Sequence, residues 1–399
     1  MKIDGFNPLD INDDDIGEVV DTLKSGWITT GPKTKAFEHE IATFCKTSKA
    51  VCLNSQTACA EMTLRILGIG KDDEVIVPAY THTATASVVA HLGAKIVMID
   101  SAPDTTEMDY NKVESAINEN TKVIIPVDIG GVICNYDRLN QIVNSKKSIF
   151  QPVNALQKSF GRIILMADGA HSFGASRKGN NSGNIADFTN FSFHAVKNLT
   201  TGEGGAVTWK DNAGIDSEEL YRKYQLLSLH GQSRDANVRS KLGDWEYDIE
   251  GPYYKCNMTD ILASLGISQL RRYDSILARR HEIIRRYDEA LLPLGFSTLK
   301  HFTNDSVSSG HLYITRLPDK YRLNRNDFIT RLAELGVPAN VHYKPLPMHS
   351  AYKKLGFDIK DFPNAYNYYK NEVTLPLNTR LADEQIEYVI CCIKKVLKL

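Results

Sequence analysis

Asn190-Phe191-Ser192-Phe193-His194-Ala195-Val196-Lys197-Asn198-Leu199-Thr200-Thr201-Gly202-Glu203-Gly204-Gly205-Ala206-Val207 is the stretch around which the chain can be read. A short apolar and aromatic run leads to one lysine, a Thr- and Gly-rich turn follows, and a second apolar run closes it, which predicts strand, turn, strand. Lys197 therefore sits in tight, mostly uncharged company. Desolvation disfavours an ammonium, so such a lysine has a lowered pKa, and its neutral amine can attack an aldehyde to form a Schiff base. A partly buried packing lysine reads the same way from this run alone. Nearby, His194 is expected to pack near the sheet end rather than to act in catalysis, Trp209 to lie in the core and Lys210 at the surface.

Two upstream stretches narrow the choice. Arg162-Ile163-Ile164-Leu165-Met166-Ala167-Asp168-Gly169-Ala170-His171 is a continuous apolar run ending in a carboxylate. Such runs suit a parallel sheet covered on both faces, and ligands of these sheets sit beyond the carboxyl ends of the strands. Asp168 and His171 then face a site, unless Asp168 only caps the next helix. Ala50-Val51-Cys52-Leu53 reads as a strand that passes through the turn Asn54-Ser55-Gln56-Thr57 into a helix. Free N–H groups and the dipole at a helix start attract an anion, though a plain N-cap looks alike. A lysine for a Schiff base, a carboxylate for a pyridine nitrogen and a helix start for a phosphate are together the equipment for pyridoxal 5′-phosphate, PLP.

The rest of the chain alternates. Helical patterns cover 14–25, 33–45, 57–67 and 110–118, and strand patterns cover 74–77, 95–100 and 122–127. This βαβ alternation predicts an α/β fold with a mostly parallel central sheet. One long helix is expected over 260–292, bridging to a smaller C-terminal part with a strand at 312–315 and helices at 325–335 and 383–397. The arginines at 271–272, 279–280 and 285–286 read as a solvated helix face with partners one turn away.

Bulk properties exclude classes rather than choose one. The 399 residues carry a net charge of −1, from 47 Lys and Arg against 48 Asp and Glu, so nothing points to nucleic acid or an anionic membrane. No run reaches the length of a membrane-crossing helix, and the start Met1-Lys2-Ile3-Asp4-Gly5-Phe6 lacks the apolar core of a signal peptide. Seven cysteines without a CxxC pair fit reduced thiols in the cytoplasm better than disulfides or zinc. His342 and His349 have no carboxylate or cysteine spaced to share a metal, so no metal site is expected.

In order along nearly the whole chain, these motifs resemble the DegT/DnrJ/EryC1/StrS family of nucleotide-sugar aminotransferases, PLP enzymes of fold type I. Gly26-Trp27-Ile28-Thr29-Thr30-Gly31-Pro32 resembles the family's N-terminal substrate loop, which implicates Trp27 and Thr30. Asn54-Ser55-Gln56-Thr57-Ala58 resembles its phosphate turn, with Gln56 and Thr57 on the phosphate. Pro78-Ala79-Tyr80-Thr81-His82-Thr83-Ala84-Thr85-Ala86 resembles the segment whose aromatic side chain stacks on the cofactor ring, a role that falls on His82. Asp168 matches the partner of the pyridine nitrogen, His171 a His or Gln near the ring, Ser192 a phosphate-binding serine and Lys197 the Schiff-base lysine. Tyr254-Lys255-Cys256-Asn257-Met258-Thr259-Asp260 resembles a loop that enters the neighbouring subunit's site, with Asn257 on the phosphate there and Lys255 toward substrate. Val341-His342-Tyr343-Lys344-Pro345 resembles a substrate-facing segment and adds His342 and Tyr343.

The resemblance implies a large PLP-binding domain over 1–255, with a bridging helix and a small α+β domain over 256–399. It implies a homodimer with shared sites, and PLP held on Lys197 and cycling through pyridoxamine 5′-phosphate (PMP), with Asp168 and His171 as further catalytic residues. The amino donor would be an amino acid, glutamate by resemblance. The acceptor would be a nucleotide-linked keto-deoxysugar, for amino sugars of surface polysaccharides or glycoconjugates. Another keto sugar or a keto-inositol would use the same chemistry. A PMP-dependent sugar dehydratase is a further reading, but that branch carries histidine where this chain has Lys197. A non-catalytic PLP-binding sensor would be expected to have lost Asp168 or the phosphate turn. Three departures bear on substrate rather than reaction: Asp128 where histidine is usual, a lengthened link over 146–161, expected as a surface or intersubunit loop near the site, and Gly251-Pro252-Tyr253 before the cross-subunit loop.

Overall fold

The computed structural model describes residue 3 and residues 5–211, 215–232 and 247–399; Met1, Lys2 and Asp4 of the N-terminal stretch lie outside the described residues. Its frame is a seven-stranded sheet built from β1 (Ala50–Leu53), β2 (Glu74–Pro78), β3 (Lys95–Ile99), β4 (Thr121–Ile124) and β5 (Ile164–Asp168). A small hairpin follows, β6 (Ser176–Arg177) and β7 (Asn180–Asn181), and then β8 (Phe188–Ser192) and β9 (Gly205–Trp209) complete the large sheet. The spatial order is β1-β9-β8-β5-β4-β2-β3, with β9 antiparallel to both its neighbours and every other pair parallel.

The apolar strand runs are continuous because both faces are covered. Val75, Val77, Val123, Ile164 and Met166 pack into one core cluster, while the intervening Ile76, Ile124 and Leu165 pack into another. Alternate side chains thus serve opposite faces, as the pleat requires. Helices on the two faces include α3 (Gln56–Ile66), α4 (Ala84–His91), α5 (Tyr110–Ala116), α6 (Tyr136–Ser145) and α8 (Ser217–Ser228); before them come α1 (Asp13–Ser25) and α2 (Pro32–Cys45), and between α6 and α8 lies α7 (Ala155–Phe160). α1 starts with a capping box of Asn12 and Asp15 and stops at Gly26, whose φ of 76° suits glycine. The start of α2 is held from a distance, since Asp260 accepts from the Gly31, Lys33 and Thr34 amides at 2.7–3.0 Å.

A second sheet, β10 (Ser297–Thr298), β12 (Tyr313–Arg316) and β13 (Glu372–Leu375), is antiparallel, and the short β11 (Ser306–Val307) joins the hairpin of β6 and β7. Tyr313 and Val373 of the second sheet share a core with α10 (Tyr273–Leu291), α11 (Arg325–Glu334) and α14 (Asp383–Val396), into which Ile386, Val389, Ile390 and Ile393 project at helical spacing. α12 (Ser350–Lys354) and α13 (Pro363–Asn371) lie between these elements in the chain. No described helix is long and apolar enough to cross a membrane. All seven cysteines are free.

Three expectations need correction. The helix expected over 260–292 is two, α9 (Asp260–Arg271) and α10, broken at Arg272 with φ −108° and ψ 11°. Arg272 donates instead to Asp15 at 2.8 Å and to the Asp10 carbonyl, tying the break to α1. The arginines are only in part a solvated face with partners one turn away: Arg271 is exposed, and Arg279 meets Glu282 three residues on at 2.8 Å. Arg280 is 3% exposed and donates to the carbonyls of Gly310, His311 and Leu377, and Arg279 and Arg286 pair with Asp383 of α14. The link over 146–161 does not approach the cavity described below. It forms α7, and Asn154 and Gln157 both donate to the carbonyl of Leu67 at 2.8 Å, just past the far end of α3.

Candidate active site

The carboxyl ends of β5 and β8 and the start of α3 converge on a cavity of about 420 Å³. Lys197 lies in the turn that joins β8 to β9, which the sheet pairing holds through Ser192 opposite Gly205. Its amine opens into the cavity but is walled by protein, and burial pulls it from an ordinary lysine value down to about 8, against the upward pull of Asp168. About one amine in ten is therefore neutral at pH 7, against fewer than about one in a thousand for an ordinary lysine.

Asp168 ends β5 at 5% exposure. Thr85 Oγ1 donates to it at 2.6 Å and the Ala170 amide at 3.2 Å, and Thr81 backs Thr85 at 2.8 Å. Burial pushes its carboxyl upward, only partly opposed by these bonds and by Lys197. Among the described residues it forms no ion pair. A buried carboxylate with two fixed donors and no cation suits a partner that brings a positive N–H, which is what a protonated pyridine nitrogen offers.

The opposite wall is the start of α3. Ser55 caps it by accepting from the Ala58 amide at 3.1 Å, which leaves the first two helical amides, of Gln56 and Thr57, without partners inside the helix. β9 runs directly beneath: a Cβ on Gly205 would stand 2.4 Å from the Gln56 nitrogen. The turn is thus laid flat on a glycine, with Ser192 on the same cavity wall. Amine, carboxylate and open helix start thus line one cavity, and they are the kinds of group that the aldehyde, ring nitrogen and phosphate of PLP call for.

His171 is buried, accepts from the Gly130 amide at Nδ1 over 3.1 Å, and meets Tyr343 Oη at 3.2 Å through Nε2. Burial and the nearby Lys197 and histidines hold it well below the ordinary histidine range, so it is neutral. His82 is exposed at the cavity wall, its ring 5.7 Å from that of Tyr343. His342 also lines the cavity, and its Nδ1 meets Thr374 Oγ1 at 3.0 Å.

The remaining expected residues gather elsewhere. Trp27, Thr30, Lys255 and Asn257 do not line this chain's cavity. Trp27 Nε1 donates to the Thr30 carbonyl at 3.2 Å, Asn257 donates to the Thr30 hydroxyl, and Lys255 to Asn257. His194 is exposed rather than packed, with Glu203 3.6 Å away at the cavity mouth. Asp128 does not face the cavity. It is 1% exposed and accepts from Ser172 at 2.8 Å, the Cys134 amide at 3.0 Å and Tyr136 at 3.2 Å, and burial pushes it up to about 7. Among the described residues no group of three His, Cys, Asp or Glu side chains is placed to hold a metal ion.

Several residues of the site gave no signal in the sequence. Nothing in the 78–86 segment sets Thr85 apart from Thr81 and Thr83. Tyr80 and Glu372 hold the main chain of the 342–343 segment: Tyr80 accepts from the Tyr343 amide at 3.0 Å and donates to the His342 carbonyl at 2.9 Å, and Glu372 accepts from the His342 amide at 3.0 Å. Their sequence distance hides the contact.

Along nearly its whole length the chain is similar to known proteins. Spr1654 of Streptococcus pneumoniae, a candidate sugar aminotransferase solved in PMP form, is 53% identical with a TM-score of 0.95, covering 99% of each chain; its PLP form is 52% identical. The spore coat polysaccharide biosynthesis protein SpsC of Bacillus subtilis is 38% identical over 392 residues, 97% of this chain and 95% of SpsC. PseC of Helicobacter pylori, an aminotransferase of pseudoaminic acid biosynthesis, is 25% identical with a TM-score of 0.86 over the full length of both chains. The profile of the DegT/DnrJ/EryC1/StrS aminotransferase family matches residues 9–394, and the chain belongs to that family.

Proposed function

We propose that this aminotransferase moves an amino group from an amino acid, L-glutamate by the family resemblance, to a nucleotide-linked keto-deoxysugar. Its cofactor is PLP, alternating with PMP. The observation that carries the reading is the meeting, in one cavity, of a lysine amine held near about 8, a buried carboxylate without a cation, and an open helix start. Sugar chemistry is supported by the relatives, one named for sugar amination and one for polysaccharide synthesis. We read the product as an amino sugar for a surface polysaccharide or glycoconjugate, made in the cytoplasm.

When bound, PLP supplies a ring that accepts the electrons left as a proton leaves the donor's α-carbon. Lys197 Nζ first anchors the cofactor and then, once displaced, moves that proton, so transamination needs it twice. Asp168 keeps the ring nitrogen protonated, oriented by Thr85 and the Ala170 amide. Gln56, Thr57 and Ser192 bind the phosphate, and His82 covers the ring face. His171 and Tyr343 face the reacting side with His342. Asn257 completes the phosphate site of the partner chain, with Trp27, Thr30 and Lys255 on the substrate side, so the smallest active unit is a homodimer. Residues 1–255 form the cofactor domain and 256–399 the bridge and small domain.

An absorbance scan of the purified enzyme before and after glutamate tests this. Conversion of the lysine-bound cofactor band into that of PMP, followed by its return when a keto sugar is added, is the expected result. An unchanged band with glutamate and with other amino acids would refute the donor half of the reading.

A further inference from the structure

Two hydrogen bonds fix the proton on His171. The Gly130 amide can only donate, so at 3.1 Å it makes Nδ1 the lone-pair nitrogen, and the proton of the neutral ring is on Nε2. Nε2 stands 3.2 Å from Tyr343 Oη. The histidine is therefore the donor and the tyrosine oxygen the acceptor. The hydroxyl hydrogen of Tyr343 cannot point back at Nε2–H, and among the described residues Oη has no other polar partner. Tyr343 lines the cavity, so that hydrogen is turned into it.

Both rings are pinned. His311 lies against His171 with ring centroids 4.3 Å apart, and Ser309 Oγ donates to the His171 carbonyl. The main chain of Tyr343 is held by Tyr80, and that of His342 by Tyr80 and Glu372. Gly130 has a φ of 66°, so its amide is presented by a conformation few other residues adopt. The described lining contains no arginine, and its one amine is Lys197.

We propose that His171 is a positioning residue: it accepts from Gly130, donates to Tyr343, and so presents the Tyr343 hydroxyl as a hydrogen-bond donor to a neutral oxygen, ketone or hydroxyl, of the sugar substrate. This rests on the keto-sugar reading for the ligand class, but not for the hydrogen positions. Glutamine can do both tasks of His171, accepting through its amide oxygen and donating through its nitrogen. Phenylalanine can do neither.

Neutron diffraction from deuterated, PLP-loaded enzyme reads the hydrogens directly. A deuteron on Nε2, none on Nδ1, and the Tyr343 deuteron directed into the cavity are expected. A deuteron on Nδ1, or a Tyr343 deuteron aimed at His171, overturns the proposal. The kinetic arm follows the PMP form with dTDP- and UDP-linked 4-keto-6-deoxyglucose. Tyr343→Phe and His171→Phe should each slow this half-reaction about 10- to 100-fold, and Tyr343→Phe should shift its rate relative to the glutamate half-reaction about tenfold. His171→Gln should recover most of the loss. A His171→Gln enzyme as slow as His171→Phe would mean that His171 moves protons itself and would overturn the positioning role. Wild-type enzyme inert to both sugars, with the deuterons as expected, would overturn the sugar class in both proposals, whereas a misplaced deuteron would overturn only this one.

Discussion

In the proposed role Lys197 reacts as a neutral amine, and its environment decides when that form exists. Burial places its pKa at about 8. The neutral fraction thus rises with pH through about 8 and is nearly complete a unit above it, whereas an ordinary lysine at about 10.4 would still be mostly charged there. Reconstitution of apoenzyme with PLP, followed by stopped-flow absorbance between pH 6 and 10, should show a rate that climbs and levels off near pH 9. A rate still climbing steeply past pH 10 would mean that the cavity does not lower this amine. At this scale the sequence was most legible. Lys197, Asp168 and the Ser55-Gln56-Thr57 turn are short local patterns whose chemistry follows from strand end, turn and helix start. Asp128, a departure expected to bear on substrate, was not legible in this way, because position along the chain says nothing of direction. Its side chain turns inward to Ser172, Cys134 and Tyr136.

Elements differ from expectation where distant side chains outweigh local propensity. Nothing in residues 260–292 is a helix breaker at Arg272, yet the chain breaks there, where Arg272 meets Asp15 and the Asp10 carbonyl. Arg280 likewise looks like its neighbours in the sequence but is buried, with burial pulling its guanidinium to about 10, still charged at neutral pH. It serves three carbonyls that meet only in the folded chain. Arg280→Met should lower unfolding free energy by about 3 kcal/mol, since three buried acceptors lose a charged donor. Arg279→Met, which loses exposed ionic partners and one part-buried carbonyl, that of Leu381, should cost about 1 kcal/mol. Urea titrations of the two variants decide this, and equal losses would mean that Arg280 is not the tie between α10 and the segments at 310–311 and 377. The 146–161 link makes the converse case. Asn154 and Gln157 cap the Leu67 carbonyl, so replacing both with alanine should cost about 1–3 kcal/mol while leaving the KM for both substrates unchanged. A raised KM would return this segment to the site.

Across the whole molecule, the site residues divide into two groups, and neither group alone is a complete site for the proposed reaction. Gln56, Thr57, Asp168, Ser192 and Lys197 meet in one cavity, while Asn257, Lys255, Trp27 and Thr30 form a cluster outside it. In the homodimer proposed above, a second chain would bring the two groups together. If Asn257 completes the partner's phosphate site, its effect must pass between subunits. Lys197→Ala and Asn257→Ala enzymes should each be impaired, the first abolished and the second weakened in PLP affinity. Mixed by unfolding and refolding together, half of the dimers are hybrids. Each hybrid pairs a chain that keeps Lys197 with one that keeps Asn257, so one of its two sites is intact and the other lacks both residues. Activity at low PLP should then recover to about a quarter of the wild-type level, the fraction expected for random pairing in a two-fold dimer. Had Asn257 served its own chain, no hybrid would contain an intact site, and the mixture would stay at the level of the two parents averaged.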